Sequence, residues 1–208
     1  MTTADRLTMS LGEAIFTQRA IRRLKPDPIP DDVLQDIMQA TIRAPNGGNT
    51  QQWHFVVVKD EELRRQLGEL YHEAWWAKRK DAGINGPEDI PPGRNSMRST
   101  MRLANEIGTS PVMVLICATA KGPGAAASVI PSAQNMLLAA RALGLGGVLT
   151  TNHRFYEDDI KEALGVPKEW VIFTMIPLGY PRDPHGRKNR QPIEEVTFSN
   201  RWGNPSVF

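Results

Sequence analysis

Three separated segments of this chain carry side chains able to grip an anion and the polar edge of a flat ligand. Arg19, Arg22 and Arg23 fall within Gln18-Arg-Ala-Ile-Arg-Arg-Leu-Lys25, and Lys188 and Arg190 add cations near the C-terminal end. Between them, Pro45-Asn-Gly-Gly-Asn49-Thr-Gln51 supplies side-chain amides, with glycines that let backbone approach a ligand closely. Clustered cations and backbone donors are what a phosphate group requires, because charge-assisted hydrogen bonds outweigh neutral ones. Each segment alone has a plainer reading. The arginines read as a solvated charged run, and Asn46-Gly-Gly-Asn49 as an ordinary turn.

The elements that must hold these segments can be placed from periodicity and punctuation. A short helix is expected over residues 7–18. Three prolines in Pro26-Asp-Pro28-Ile-Pro30 then enforce an extended connector. Asp31 or Asp32 is positioned to cap a helix with Val33, Leu34, Ile37, Met38 and Ile42 on one face, and Gln35 would complete a capping box with Asp32. Residues 53–59 read as a strand, and Asp60 as the start of a helix reaching about Lys80. Residues 82–94 form an irregular excursion, followed by a helix near 96–107 and a strand at 112–118. A helix ending near Leu143 is closed by the glycines of Gly144-Leu-Gly-Gly147. Short pieces follow: a strand at 148–151, a helix at 158–164 and a strand at 170–176. The few strands among many helices indicate an α+β fold. The last 28 or so residues, 181–208, carry Phe198, Trp202 and Phe208 with little core of their own, a pattern suited to a tail that wraps a partner.

Composition excludes several classes. The 208 residues suit one domain, and a net charge of +2 is too small for a phosphate-backbone binder. The single cysteine, Cys117, lies in an apolar run and reads as a buried strand residue. No long apolar stretch marks a secretory leader or a membrane span, so a cytoplasmic protein without nucleic-acid or membrane partners is expected. His54, His72, His153 and His185 are too scattered for a metal site. Gly122-Pro-Gly124-Ala-Ala-Ala127 matches a dinucleotide-binding turn in form. However, Pro123 and Pro131 speak against a helix that begins at those glycines, and no acidic residue ends the strand at 148–151. A plain loop is expected there.

A non-covalently held flavin mononucleotide needs cations for its phosphate and a cation at N1/O2, where negative charge gathers on reduction. It also needs amide partners along the N3–O4–N5 edge and an open slot over one face. The three segments could supply these parts. Arg19-Ala-Ile-Arg22-Arg23-Leu-Lys-Pro and Ala44-Pro-Asn-Gly-Gly-Asn-Thr-Gln-Gln-Trp53-His-Phe-Val-Val-Val resemble the two N-terminal signatures of the FMN-dependent nitroreductase family. Residues 132–146, Pro177-Leu-Gly-Tyr-Pro181 and Arg190-Gln-Pro-Ile-Glu-Glu-Val196 are similar to its central helix and C-terminal end, in the family's order.

The resemblance implies a single domain over residues 1–208 with a nitroreductase-like mixed sheet flanked by helices. It implies an obligate homodimer with the flavin at the interface, residues 75–102 as a variable cap over the active site, and residues 181–208 as the wrapping tail. Arg19 would contact the phosphate beside Ala20, and Arg22 would sit at N1/O2 and stabilise charge on the reduced ring. Pro45, Asn46 and Gly47 would line the ring edge and ribityl chain, with Asn49 nearby fixing either the loop or the flavin. Thr150 and Thr151 would approach N5 and the dimethylbenzene side, and Lys188 and Arg190 would complete the phosphate clamp. Trp75 and Trp76 would either pack in the core or cover the flavin or the substrate slot. The family's usual arginine and serine are replaced by Gln18 and Ala20, and the proline before the tryptophan by Gln52. The implied activity is ping-pong electron transfer from NADPH or NADH to a flat acceptor such as a nitroaromatic or quinone, without an obligatory side-chain acid. The alternatives are an enone reductase, a dehalogenase, an azoline oxidase, or a carrier or sensor that binds FMN without turnover.

Overall fold

A computed structural model describes residues 2–207. Strands β1 (Trp53–Val58), β2 (Val112–Ala118), β3 (Gly146–Gly147) and β4 (Val171–Gly179) form a sheet in the order β1-β2-β4-β3. The helices are α1 (Thr3–Arg6), α2 (Leu11–Thr17), α3 (Asp31–Thr41), α4 (Glu61–Lys80), α5 (Asn95–Glu106), α6 (Pro123–Ala142), α7 (Glu157–Leu164) and α8 (Ile193–Val196). The α+β class stands.

The sheet is antiparallel at every pairing, not mixed as expected. Helix α4 leaves the end of β1 and α5 returns to it, so β2 starts beside the residue where β1 stops, with Val58 opposite Met113. Helix α6 then crosses back, which makes β3 run in the same direction as β2. Strand β4 is inserted between them and opposes both. The parallel relation exists, but between strands that are not neighbours.

Strand β2 is buried along its whole length. Its alternation sends Val112, Val114 and Ile116 to a core under α3 and α6, and Met113, Leu115 and Cys117 to a second core under α4, α5 and α7. A strand covered on both faces needs an unbroken apolar run, which is what the sequence has there. Each large aliphatic side chain so enclosed contributes roughly 1.5–3 kcal/mol. Cys117 is a buried core residue, and burial pushes its thiol pKa up to about 11, so it is not a nucleophile.

Local chemistry explains the departures from expectation. Helix α3 is capped by Pro30 with no side-chain hydrogen bond. The expected capping acids are committed elsewhere, Asp31 to Lys59 and Asp32 to Arg6. Helix α6 does begin at the glycines: Gly122 is its cap at φ 87°, Pro123 occupies the first turn, where its missing N–H costs nothing, and Pro131 lies inside the helix. The strand expected at 148–151 reduces to Gly146–Gly147 plus a single bridge from Thr150 to Met175. Only glycine fits the closest approach, since a Cβ on Gly147 would lie 2.6 Å from the Pro177 carbonyl oxygen.

Candidate functional site

The arginine segment is an extended strip fastened on two sides. The Ile21 N–H donates to the Gly147 carbonyl at 3.0 Å. On the other side, Lys25 N–H donates to Tyr180 O at 2.8 Å and Arg182 N–H to Arg23 O at 3.0 Å. Ile21 and Leu24 are buried, so the strip holds on by its apolar members while Arg19 and Arg22 stay half-buried at its surface. Arg23 pairs with Asp183 at 3.5 Å and is structural. Arg19 and Arg22 form no ion pair and no hydrogen bond among the described residues, and the Arg19 Nε is buried without a partner. Desolvation lowers the Arg22 pKa, the Tyr71 phenol opposes that shift and neighbouring Arg19 adds to it. Half-buried guanidinium groups with no acid beside them are a standing demand for an anion. Ala20 is partly buried against the α4-side core.

Tyr71, on α4, was not anticipated. It is buried, and its hydroxyl accepts from Asn152 Nδ2 at 3.2 Å. Desolvation raises its pKa, against the neighbouring polar side chains of Thr150 and Asn152 and the fields of Arg22 and Arg79. Thr150 commits its groups to the sheet: N–H and C=O pair with Met175, and Oγ1 donates to Met175 O at 2.8 Å. It positions the turn, and of the two threonines it is Thr151 that is exposed. Below the turn, His153 Nε2 lies 2.8 Å from Ile172 O, and Glu157 accepts from Ile172 N–H at 3.1 Å while pairing with Lys161 at 2.9 Å. This polar girdle anchors residues 150–157 to β4.

The loop after α3 is set by its own amides. Asn46 Oδ1 accepts from Gln51 N–H at 2.9 Å, and Asn49 and Gln51 sit at φ 52° and 50°, in the left-handed region. Gly47 N–H donates to Ser128 Oγ on α6 at 3.1 Å. Pro45, Gly47 and Asn49 are exposed. At the other end of the same helix, Arg141 Nε donates to Thr17 Oγ1 at 2.9 Å, beside the arginine strip. At 1.5 Å per residue, Ser128 and Arg141 stand about 20 Å apart along α6. One chain therefore keeps Pro45–Asn49 and Arg19–Arg22 at opposite ends of a helix.

The C-terminal segment runs antiparallel to the strip as far as Gly186, whose N–H donates to Thr17 O at 3.3 Å. Lys188 and Arg190 lie beyond it and are exposed, with Arg190 Nη1 donating to the neighbouring Asn189 carbonyl at 3.1 Å. Farther on, Phe198 and Trp202 stack at 4.6 Å, and Trp202 is 90% exposed. In the cap, Trp75 is 0% exposed and packs edge-on to Trp76 at 4.9 Å. Of the two alternatives for Trp75 the structure takes core packing, while Trp76 is partly exposed and its Nε1 donates to His72 at 3.1 Å.

Residues 15–180 match the model of the nitroreductase family. The chain belongs to that family. It is 29% identical over 196 residues to an NADH dehydrogenase of Thermus thermophilus, covering 89% of this chain and 93% of that one. It is 26% identical over 179 residues to an iodotyrosine deiodinase of Thermotoga neapolitana, covering 86% and 91%. The fold is shared with a solved iodotyrosine deiodinase bound to FMN and 3-iodo-L-tyrosine, at a TM-score of 0.71 and 24% identity over 88% of this chain and 96% of that one.

Proposed function

We propose that the protein is an FMN-dependent oxidoreductase, a cytoplasmic homodimer that passes electrons from NADPH or NADH to a flat organic acceptor such as a nitroaromatic or quinone. The observation that carries this reading is the pair of half-buried arginines, Arg19 and Arg22, which have no acidic partner among the described residues, on a strip pinned to the sheet. Their chemistry fits FMN: Arg19 toward the phosphate, with the exposed Lys188 and Arg190 beyond Gly186 as further cations for it, and Arg22 toward N1/O2. Held by these residues, FMN would supply the two-electron redox chemistry that links a nicotinamide donor to the acceptor. Arg22 would favour the reduced state by placing fixed positive charge where reduction puts negative charge. Thr151 and Asn46 would orient the ring edge, and Trp76 would bound the acceptor slot. Protons can come from solvent.

The separation of the two half-sites supports a shared site, with Pro45–Asn49 of one chain facing Arg19–Arg22 of another. Helix α2 also exposes Leu11, Ile15 and Phe16 beside an apolar cleft of about 660 Å³ between α1, α2, α3 and α6, a surface suited to a second copy and its tail. The deiodinase relative gives a second reading, reductive removal of halogen from a phenol at the same flavin.

Complementation tests both parts. Arg22→Gln and Asn46→Ala chains should each bind FMN weakly and turn over poorly. Heterodimers formed from the two should recover one intact site, hence about half the wild-type capacity for FMN. Recovery in neither measurement, with each variant folded, would contradict the shared site. A wild-type chain that takes up no FMN would contradict the function.

A further inference from the structure

Most arginines that are not simply exposed are accounted for within the chain. Arg6, Arg23 and Arg141 pair with carboxylates, and Arg64 and Arg98 donate to backbone carbonyls. Arg79 is different. It lies on the cap-side end of α4, is only partly exposed, and its side chain forms no hydrogen bond or ion pair among the described residues. Its guanidinium is held by stacking instead, with Cζ 4.5 Å from the centroid of the fully buried Trp75 ring. One Nη is buried with no acceptor. A cation–π stack fixes the plane of a guanidinium while leaving its in-plane N–H groups uncommitted. The group also lies close enough to the Tyr71 phenol to act on it electrostatically, as Arg22 does. Arg79 thus belongs to the neighbourhood in which Arg22, Tyr71 and Asn152 meet, and it adds a second uncompensated cation from the cap helix.

Building on the FMN reading above, we propose that Arg79 is a specificity-determining residue that selects an acceptor carrying a carboxylate on its flat ring. The indole holds the guanidinium edge toward the slot bounded by Trp76, and the carboxylate of the acceptor takes the in-plane N–H groups. Desolvating a guanidinium without an acceptor is costly, and an anionic ligand removes that cost where a neutral amide of the same shape does so poorly. The bond is a binding interaction only, and no electron or proton passes through Arg79.

The test uses the FMN-loaded protein with two redox-inert probes of equal shape, benzoate and benzamide, followed by perturbation of the oxidised flavin absorbance. Wild-type protein should bind benzoate about tenfold or more tightly than benzamide, roughly the discrimination one charge-assisted contact provides. Arg79→Gln should erase that preference. Arg79→Lys, which keeps the charge but not the planar fork, should retain part of it. The KM ratio for 4-nitrobenzoate over 4-nitrobenzamide should change in parallel. Equal affinity of wild-type protein for the two probes would overturn the assignment, as would an Arg79→Gln protein that keeps the preference. Loss of FMN affinity with both probes weakened equally would also overturn it, assigning Arg79 to the flavin instead. A wild-type chain that binds no FMN fails earlier and overturns the reading on which the assignment rests.

Discussion

Replacing Gly146 by alanine should damage the site through sterics alone, without touching a charged residue. The Gly146 backbone is not left-handed, so alanine is conformationally acceptable there. The added Cβ, however, would lie 2.8 Å from both Cβ and Cγ1 of Ile21. That is about 0.7 Å inside the ~3.5 Å at which carbon atoms attract. Ile21 is buried and its N–H is tied to Gly147, so the side chain cannot swing away and the strip itself must move. Overpacking of this kind costs about 1–3 kcal/mol. The displacement passes directly to Arg22, the next residue, and FMN affinity should fall by about tenfold, equivalent to ~1.4 kcal/mol. Gly144→Ala is the control. At Gly144 a Cβ meets nothing within 4 Å, but φ is +77°, so the variant should lose about 1–2 kcal/mol through backbone strain alone and keep its FMN affinity. Urea unfolding and fluorescence titration with FMN measure the two quantities on each variant. Equal FMN affinity in the two variants, at comparable stability loss, would refute the role of the pinned strip in presenting Arg22.

Three further outcomes follow from the geometry. Ser128→Ala removes the acceptor for Gly47 N–H, so it should speed hydrogen exchange at Gly47 and weaken FMN binding severalfold with under about 1 kcal/mol of global destabilisation. Tyr71→Phe strands Asn152 Nδ2 and takes the phenol from beside Arg22; it should cost about 1 kcal/mol and shift the flavin reduction potential, a readout that a change in packing alone would leave in place. Burial lowers the pKa of His153, so the unfolded chain takes up this proton near the ordinary value of about 6.5 while the folded chain does not. Stability should therefore be complete above that pH and decline as pH falls toward the lowered folded-state pKa. His185 shifts in the same direction, so the comparison is between His153→Gln and wild type. The variant should show a shallower loss between pH 7.5 and 5.5, and an unchanged slope would assign the effect elsewhere.

The parts of the fold legible in the sequence were those where local pattern and tertiary use agree. Strand β2 was placed at its observed bounds because burial on both faces demands an unbroken apolar run. Helix α4 begins at Asp60 as its capping chemistry indicates, with Asp60 Oδ1 accepting from Leu63 N–H at 2.8 Å. Other parts depended on partners distant in sequence. The acids before α3 look like caps, but Arg6 and Lys59 claim them. Gly146 and Gly147 look like a helix terminator, yet they pair with Gly179 and Leu178 as a strand, where Ile21 and Pro177 leave no room for a side chain. The arginine strip and the Asn46 loop carried visible chemical signals. Tyr71 carried none, because its spacing on α4 is that of an ordinary core residue, and only the fold brings Asn152 and Arg22 to its hydroxyl. The expected sharing of the site between chains rests on the same kind of fact, since nothing local in either segment states that α6 holds them about 20 Å apart.

The most direct test of the account is an anaerobic absorbance spectrum of the purified protein, with FMN added if it is colourless, before and after NADPH and then NADH. A flavin band that bleaches with a nicotinamide and returns with a nitroaromatic or a quinone is the predicted result, and it identifies the preferred donor. Protein that takes up no flavin, or whose bound flavin neither nicotinamide reduces, would contradict the proposed oxidoreductase.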